Sequence, residues 1–155
     1  MSLLEDALPV GAPFAIGAVL YAALQAALEP QGVKTLNNPV RASSLKDGAR
    51  IVFYEDVSDR PDRSGDQPGG QPKRTFSFNL CAINRAEGAE AARRGSHEDY
   101  RAAKRVVRDA LKGLRQAVMV TSVLREGDVT YRIENIDVGG GLILGTFSVD
   151  YRDPS

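Results

Sequence analysis

One cysteine, Cys81, and one histidine, His97, are the whole supply of thiol and imidazole in a chain of 155 residues. A lone thiol cannot close an intrachain disulfide or build a thiolate metal cluster. A lone imidazole leaves His-rich zinc sites and most His-dependent triads without members. Cys81 stands between Leu80 and Ala82 in a β-rich stretch. No His partner or basic helix end lies beside it to lower its pKa, so it reads as a buried structural thiol. His97 follows a candidate helix N-cap, where exposure is expected. Glu55, Asp56 and Asp59 are close enough in sequence to share a proton or hold a metal. Arg60, Arg63, Lys73 and Arg74 crowd the same stretch, and a mixed-charge solvated rim is the plainer reading. The run Gly139-Gly140-Gly141 lacks the G-x-G-x-x-G spacing and is followed by a strand rather than a helix, so a hairpin turn fits it better than a phosphate loop.

The strongest local charge signal is a row of bases. Arg101, Lys104, Arg105, Arg108, Lys112 and Arg115 recur three or four residues apart, with only Asp109 interrupting. Such a row suits a phosphate backbone, a neighbouring subunit, or simply water on the outer face of an amphipathic helix. Globally there is no bias to exploit: 20 Lys and Arg balance 20 Asp and Glu. No catalytic residue, metal or cofactor is expected from these types and spacings.

The elements that must position these residues follow from periodicity. "PFAIGAVLYAALQAALE" begins with Pro13, suited to a first helical turn, and is stopped by Pro30 and Gly32. Phe14, Ile16, Val19, Leu20, Leu24 and Leu28 leave it little polar face, so burial on nearly all sides is expected, partly by a neighbouring subunit. Residues 7 to 28 carry no charge, but Glu5 and Asp6 precede them where a secretory signal wants bases, and Pro and Gly interrupt the run. A cytoplasmic chain with no membrane span is the expectation. A loop is predicted from Gln31 to Gly48. "ARIVFYEDV" then reads as a strand with Ile51, Phe53 and Val57 on one face. "RTFSFNLCA" alternates Phe76, Phe78 and Leu80 with polar partners and should pair antiparallel with it. Ser96 is the predicted N-cap of a second helix, with Asp99 completing a capping box and Tyr100, Ala103, Val107, Ala110, Leu111 and Leu114 as its apolar stripe. Glu126-Gly127-Asp128 is predicted to turn between two short strands. A final strand puts Ile143, Phe147, Val149 and Tyr151 on one face. The order α-β-β-α-β-β-β predicts one α+β domain over 1–155: two layers, a mostly antiparallel sheet, two main helices on one face. Within it, 58–74 is expected to be a long mobile loop, too polar and Pro/Gly-rich to offset its own ordering entropy.

This succession resembles the tail terminator (tail completion) proteins of long-tailed bacteriophages and prophages. The resemblance runs from about residue 14 to 152 and rests on five stretches. They are the apolar first helix, the separated pair "IVFYEDV" and "RTFSFNLCA", the helix "EDYRAAKRVVRDALKGLR", and the closing "GGGLILGTFSVDYRD". It implies a non-enzymatic virion protein assembled as a homo-oligomeric ring, a hexamer, on the head-proximal end of the tail tube. The ring would stop tube polymerisation, offer the docking surface for the head-neck or adaptor protein, and let DNA pass through its hole. Assembly would take place in the host cytoplasm, and the finished ring would lie at the tail-neck junction.

On that reading Arg60, Asp62, Arg63, Asp66, Lys73 and Arg74 are the expected tail-tube or intersubunit contacts. Arg101, Arg105, Arg108 and Lys112 are an intersubunit or lumen-facing row. A head-closure or adaptor subunit of the same neck remains an alternative. So does a small α+β enzyme or ligand-binding domain using Glu55 and Asp56 in a pocket.

Overall fold

Pro13 in the first turn and Pro30 in the 3-10 turn Glu29–Gln31 bracket helix α1 (Ala12–Leu28). The computed structural model describes residues 11–39, 49–62, 72–86, 88–116, 120–135 and 139–153, with backbone alone for 133–135 and 139. Its elements continue as β1 (Lys34–Asn37), β2 (Arg50–Pro61), β3 (Lys73–Asn84), α2 (Ala89–Gln116), β4 (Arg125–Asn135) and β5 (Gly139–Arg152). The five strands form one sheet in the order β1-β2-β3-β5-β4. Only the β1–β2 pairing is parallel. With both helices on one face, this is the α+β arrangement the sequence predicts.

Alternation in β3 and β5 builds the core. Phe76, Phe78, Leu80 and Ala82 of β3 share a face with Ile143, Phe147, Val149 and Tyr151 of β5, and all are buried under the helices. Phe78 sits between Tyr54, Phe76 and Phe147 at centroid separations of 5.4, 5.9 and 5.6 Å. From α1 come Ile16, Leu20, Leu24 and Leu28, and from α2 Ala103, Val107, Leu111 and Leu114. The opposite sheet face carries a smaller apolar cluster of Ile51, Cys81 and Ile83, flanked by Leu36, Phe53, Leu142 and Leu144.

Several sequence expectations need correction. β1 lies inside the predicted loop 31–48: Lys-Thr-Leu-Asn is too short to show alternation, and its pairing with Ile51–Tyr54 is a tertiary contact. Val57 falls at an interruption of the β2 alternation rather than on a regular Ile51–Phe53–Val57 stripe. The β2–β3 register shifts between Asp56 and Ser58, and Val57 stands half exposed at the bulge. α2 begins seven residues before Ser96, because the Ala- and Arg-rich stretch from Ala89 is strongly helix-forming and carries the helix through Gly95. Gly95 is tolerated for its smallness: a Cβ there would collide with the Asn84 side chain. Ser96 is therefore interior, its hydroxyl donating back to the Arg93 carbonyl at 2.9 Å. Asp99 caps nothing; it accepts two hydrogen bonds from Arg50, at 2.7 and 3.2 Å. Glu126-Gly127-Asp128 is a register irregularity within one strand, β4, and not a turn between two. The triple glycine is likewise in the ladder, with Gly139 opposite Asn135 and Gly141 opposite Ile133.

The predicted insertion is shorter than its sequence limits. Ser58 to Pro61 pair with Ser77 to Arg74, so β2 and β3 extend well into the 58–74 stretch. Its centre, 63 to 71, lies outside the described residues.

Candidate functional site

Three surfaces gather the residues that could meet another molecule. The first is the outer side of α1. Its inner side is enclosed by the chain's own core, but Phe14 is 61% exposed, and Ala18, Ala22 and Ala26 face solvent along the same helix. The expectation of burial on nearly all sides therefore fails within one chain: an apolar helix is covered on one side only. Ala12–Gln31 is long and apolar enough to cross a membrane by length and composition. However, Ile16, Leu20, Leu24 and Leu28 are already committed to the core.

The second surface is the tip end of the β2–β3 hairpin, whose base is clamped by carboxylates. Asp59 accepts hydrogen bonds from the Tyr151 hydroxyl, at 2.9 Å to either oxygen, and from Arg74 Nε at 3.1 Å. Lys73 lies 3.2 Å from Asp62 and 3.6 Å from Asp150. Asp150 also takes Arg125 Nη2 at 2.7 Å, Arg125 Nη1 at 3.1 Å and the Thr75 hydroxyl at 2.8 Å. The Arg125 guanidinium, beside this half-closed site, holds the Asp150 carboxyl below its usual range.

Of the predicted contact residues here, Arg60 is exposed, whereas Asp62, Lys73 and Arg74 serve the clamp. Arg63 and Asp66 lie outside the described residues. Glu55 and Asp56 do not converge on a pocket: Glu55 accepts from Asn79 at 2.8 Å and Asp56 from the Tyr54 hydroxyl at 2.8 Å. Burial first, and then the Asp56 bond, push the Tyr54 phenol well above its ordinary range. Among the described residues no group of His, Cys, Asp and Glu is arranged to hold a metal.

The third surface is basic. Arg101, Arg105, Arg108 and Lys112 lie exposed along one side of α2. Lys104 belongs elsewhere, 3.3 Å from Glu126 and 5.8 Å above the Tyr100 ring. Beside this row, between the N-terminal part of α2 and the β4–β5 hairpin, opens a cleft of about 1040 Å³. Arg85, Arg93, His97 and Arg132 contribute its polar lining, with Tyr131 stacked on His97 at 5.2 Å.

Sequence reasoning missed the cleft. Its guanidinium groups come from Arg85 just after β3, from α2 and from β4, and only the sheet order brings them together. Their sole signal in the sequence is that Arg93 and Arg94 extend the basic helix towards its N-terminus. Cys81 is buried as expected, in the smaller apolar cluster.

No protein-family model matches the chain, and no curated protein matches it. Among solved structures the chain is similar to one in the virion of a native gene transfer agent (GTA) particle. The two are 16% identical, with 88% of this chain and 92% of that one covered at a TM-score of 0.49. At that likeness no residue role passes from one chain to the other.

Proposed function

We propose that the chain is a non-enzymatic virion subunit whose homo-oligomeric ring caps the head-proximal end of a long-tailed phage's tail tube. The ring stops tube polymerisation and presents the surface on which the head or neck protein docks. The observation that carries this reading is the bare apolar side of α1. A helix apolar all round that packs on one side needs a second cover, and a row of Phe14, Ala18, Ala22 and Ala26 fits a neighbouring chain. Burying Phe14 alone is worth about 2 kcal/mol. A closed ring requires this patch to meet a different patch on the next subunit. The ring number, six, comes from the family resemblance.

The β2–β3 hairpin supplies a tail-tube or intersubunit contact. Its clamped base is a firm support for Arg60, Asp62, Lys73 and Arg74; Arg63 and Asp66, outside the described residues, belong to the same proposed contact. The row Arg101, Arg105, Arg108 and Lys112 lies at a subunit contact or towards the lumen, where passing DNA meets it. The protein belongs to the tail-neck junction of the virion and assembles in the host cytoplasm.

The test is the mass of the purified protein in solution, across concentrations, with and without tail-tube subunits. A ring of about six chains, formed alone or when tube is added, is expected. Ala22→Glu should give a folded monomer that neither closes a ring nor caps tubes. A wild-type chain that stays monomeric and ignores the tube would end the proposal.

A further inference from the structure

The cleft beside β4 has three properties that together define an occupant. Its described lining carries three guanidinium groups, those of Arg85, Arg93 and Arg132, with no Asp or Glu among the described lining residues. In a chain whose charges balance overall, that is a local concentration of one sign. Its floor on the α2 side is apolar, made by Ala89, Ala92 and Ile143. It also adjoins an open edge. Among the described residues β4 ends the sheet order and pairs only with β5, so Tyr131 and Arg132 sit on a strand whose outer backbone groups point away from the sheet.

We propose that this cleft docks an extended acidic segment of a partner protein, one carrying at least two carboxylates beside an apolar side chain. The guanidinium groups of Arg93 and Arg132 receive the carboxylates, for which their planar donor pairs are suited. The apolar side chain rests on Ala92 and Ile143. The backbone of the segment adds to the free edge of β4 as a further strand. A bare phosphate would leave the apolar floor unused and most of about 1040 Å³ empty. A nucleic acid strand would have no use for the backbone edge. Both features favour a peptide.

The experiment uses the full chain and a fluorescein-labelled peptide of sequence EDLEDF, with its neutral counterpart QNLQNF and a labelled single-stranded oligothymidine as comparisons. Fluorescence anisotropy should show saturable binding of EDLEDF that weakens as salt rises and no binding of QNLQNF. The double variant Arg93→Glu with Arg132→Glu should weaken EDLEDF about tenfold or more. Amide resonances of Tyr131, Arg132, Gly140 and Gly141 should shift on titration. Should the charge reversal disturb folding, Arg93→Gln with Arg132→Gln carries the same test, with circular dichroism confirming the fold. Binding of EDLEDF indifferent to both double variants, or no binding at all, overturns the proposal. So does tighter binding of oligothymidine than of EDLEDF at the same cleft resonances, which would make the occupant a nucleic acid.

Discussion

Replacing Asp150 by Asn tests the clamp beneath the β2–β3 hairpin. The Asp150 carboxylate is only 10% exposed and takes two hydrogen bonds from Arg125 and one from Thr75, with Lys73 nearby. Asn keeps one acceptor oxygen, which can still serve Thr75 and one guanidinium nitrogen. It loses the charge and turns an NH2 group towards cations. Breaking a fully buried ion pair costs about 3–5 kcal/mol. Arg125 is 44% exposed and regains water, so the cost falls to about 2 kcal/mol, near one charged hydrogen bond. For a chain of this size that lowers Tm by about 6 °C.

The difference also depends on pH. The folded-state pKa of Asp150 lies below the ordinary Asp value of about 3.9. Its stabilisation is therefore fully present above the unfolded pKa and is lost as pH falls through the folded one. Urea unfolding followed by circular dichroism should show the full gap between wild type and Asp150→Asn at pH 7, narrowing as pH drops below about 4. A gap under about 0.5 kcal/mol at pH 7 would refute the reasoning, being no more than an ordinary surface substitution gives. So would a gap that keeps its neutral size down to the lowest pH at which the wild type still folds.

Two further outcomes follow from buried hydroxyls. The phenols of Tyr54, Tyr100 and Tyr151 are raised far above the ordinary value, chiefly by burial and then by bonds to Asp56, Glu126 and Asp59. A raised pKa contributes stability that is complete below the unfolded value, about 10, and is lost as pH rises through the folded one. In an alkaline titration, three of the five phenols should ionise only together with loss of the far-ultraviolet circular dichroism signal. Ionisation of all five in a still-folded chain would contradict this. Gly145 lies where Tyr100 crosses β5, and an added Cβ would collide with the Tyr100 hydroxyl. Gly145→Ala should cost about 2 kcal/mol in a urea melt and break the 2.7 Å bond to Glu126. Tyr100→Phe in the same chain should restore part of that loss, and no restoration would place the strain elsewhere.

What the sequence reveals and what it hides divide along physical lines. The alternation in "RTFSFNLCA" and the helical stripe from Tyr100 to Leu114 are local signals, and both put the right residues in the core. The features misread depend on partners distant in sequence. β1 exists because four residues pair with β2. The early start of α2 passes through Gly95 because Asn84 fills the space where a side chain would go. Glu126-Gly127-Asp128 has turn composition but is spanned by a neighbour: Arg125 and Glu126 pair with Ser148 and Phe147, and the ladder resumes with Val129 opposite Gly145. The same division holds for the surfaces. The row Arg101 to Lys112 is legible as helical spacing on one element. The cleft is not, because Arg85 just after β3, Arg93 in α2 and Arg132 in β4 meet only through the order β3-β5-β4.

The apolar side of α1 fits two assemblies, and the sheet separates them. α1 packs against β1 and β2, at one edge of the sheet, while β4 forms the other edge. If α1 meets α1, the contact is isologous and stops at two chains. A ring instead needs α1 to meet something different, and a contact between opposite edges propagates from one subunit to the next. The segment leading into β4 offers a match. Val123 is 60% exposed, and the hydrogen bond from Thr121 N to the Asp150 carbonyl at 2.8 Å holds its segment beside β5. Ala22→Glu should abolish either assembly. Val123→Asp, on the far edge, should leave an α1–α1 dimer intact and open a ring. Sedimentation of the two variants beside the wild type therefore decides between them. Loss of large assemblies in both is the result expected of a ring. A Val123→Asp protein of unchanged mass would leave α1 meeting its own copy, and a cap built from heterologous contacts at these two edges would have to be given up.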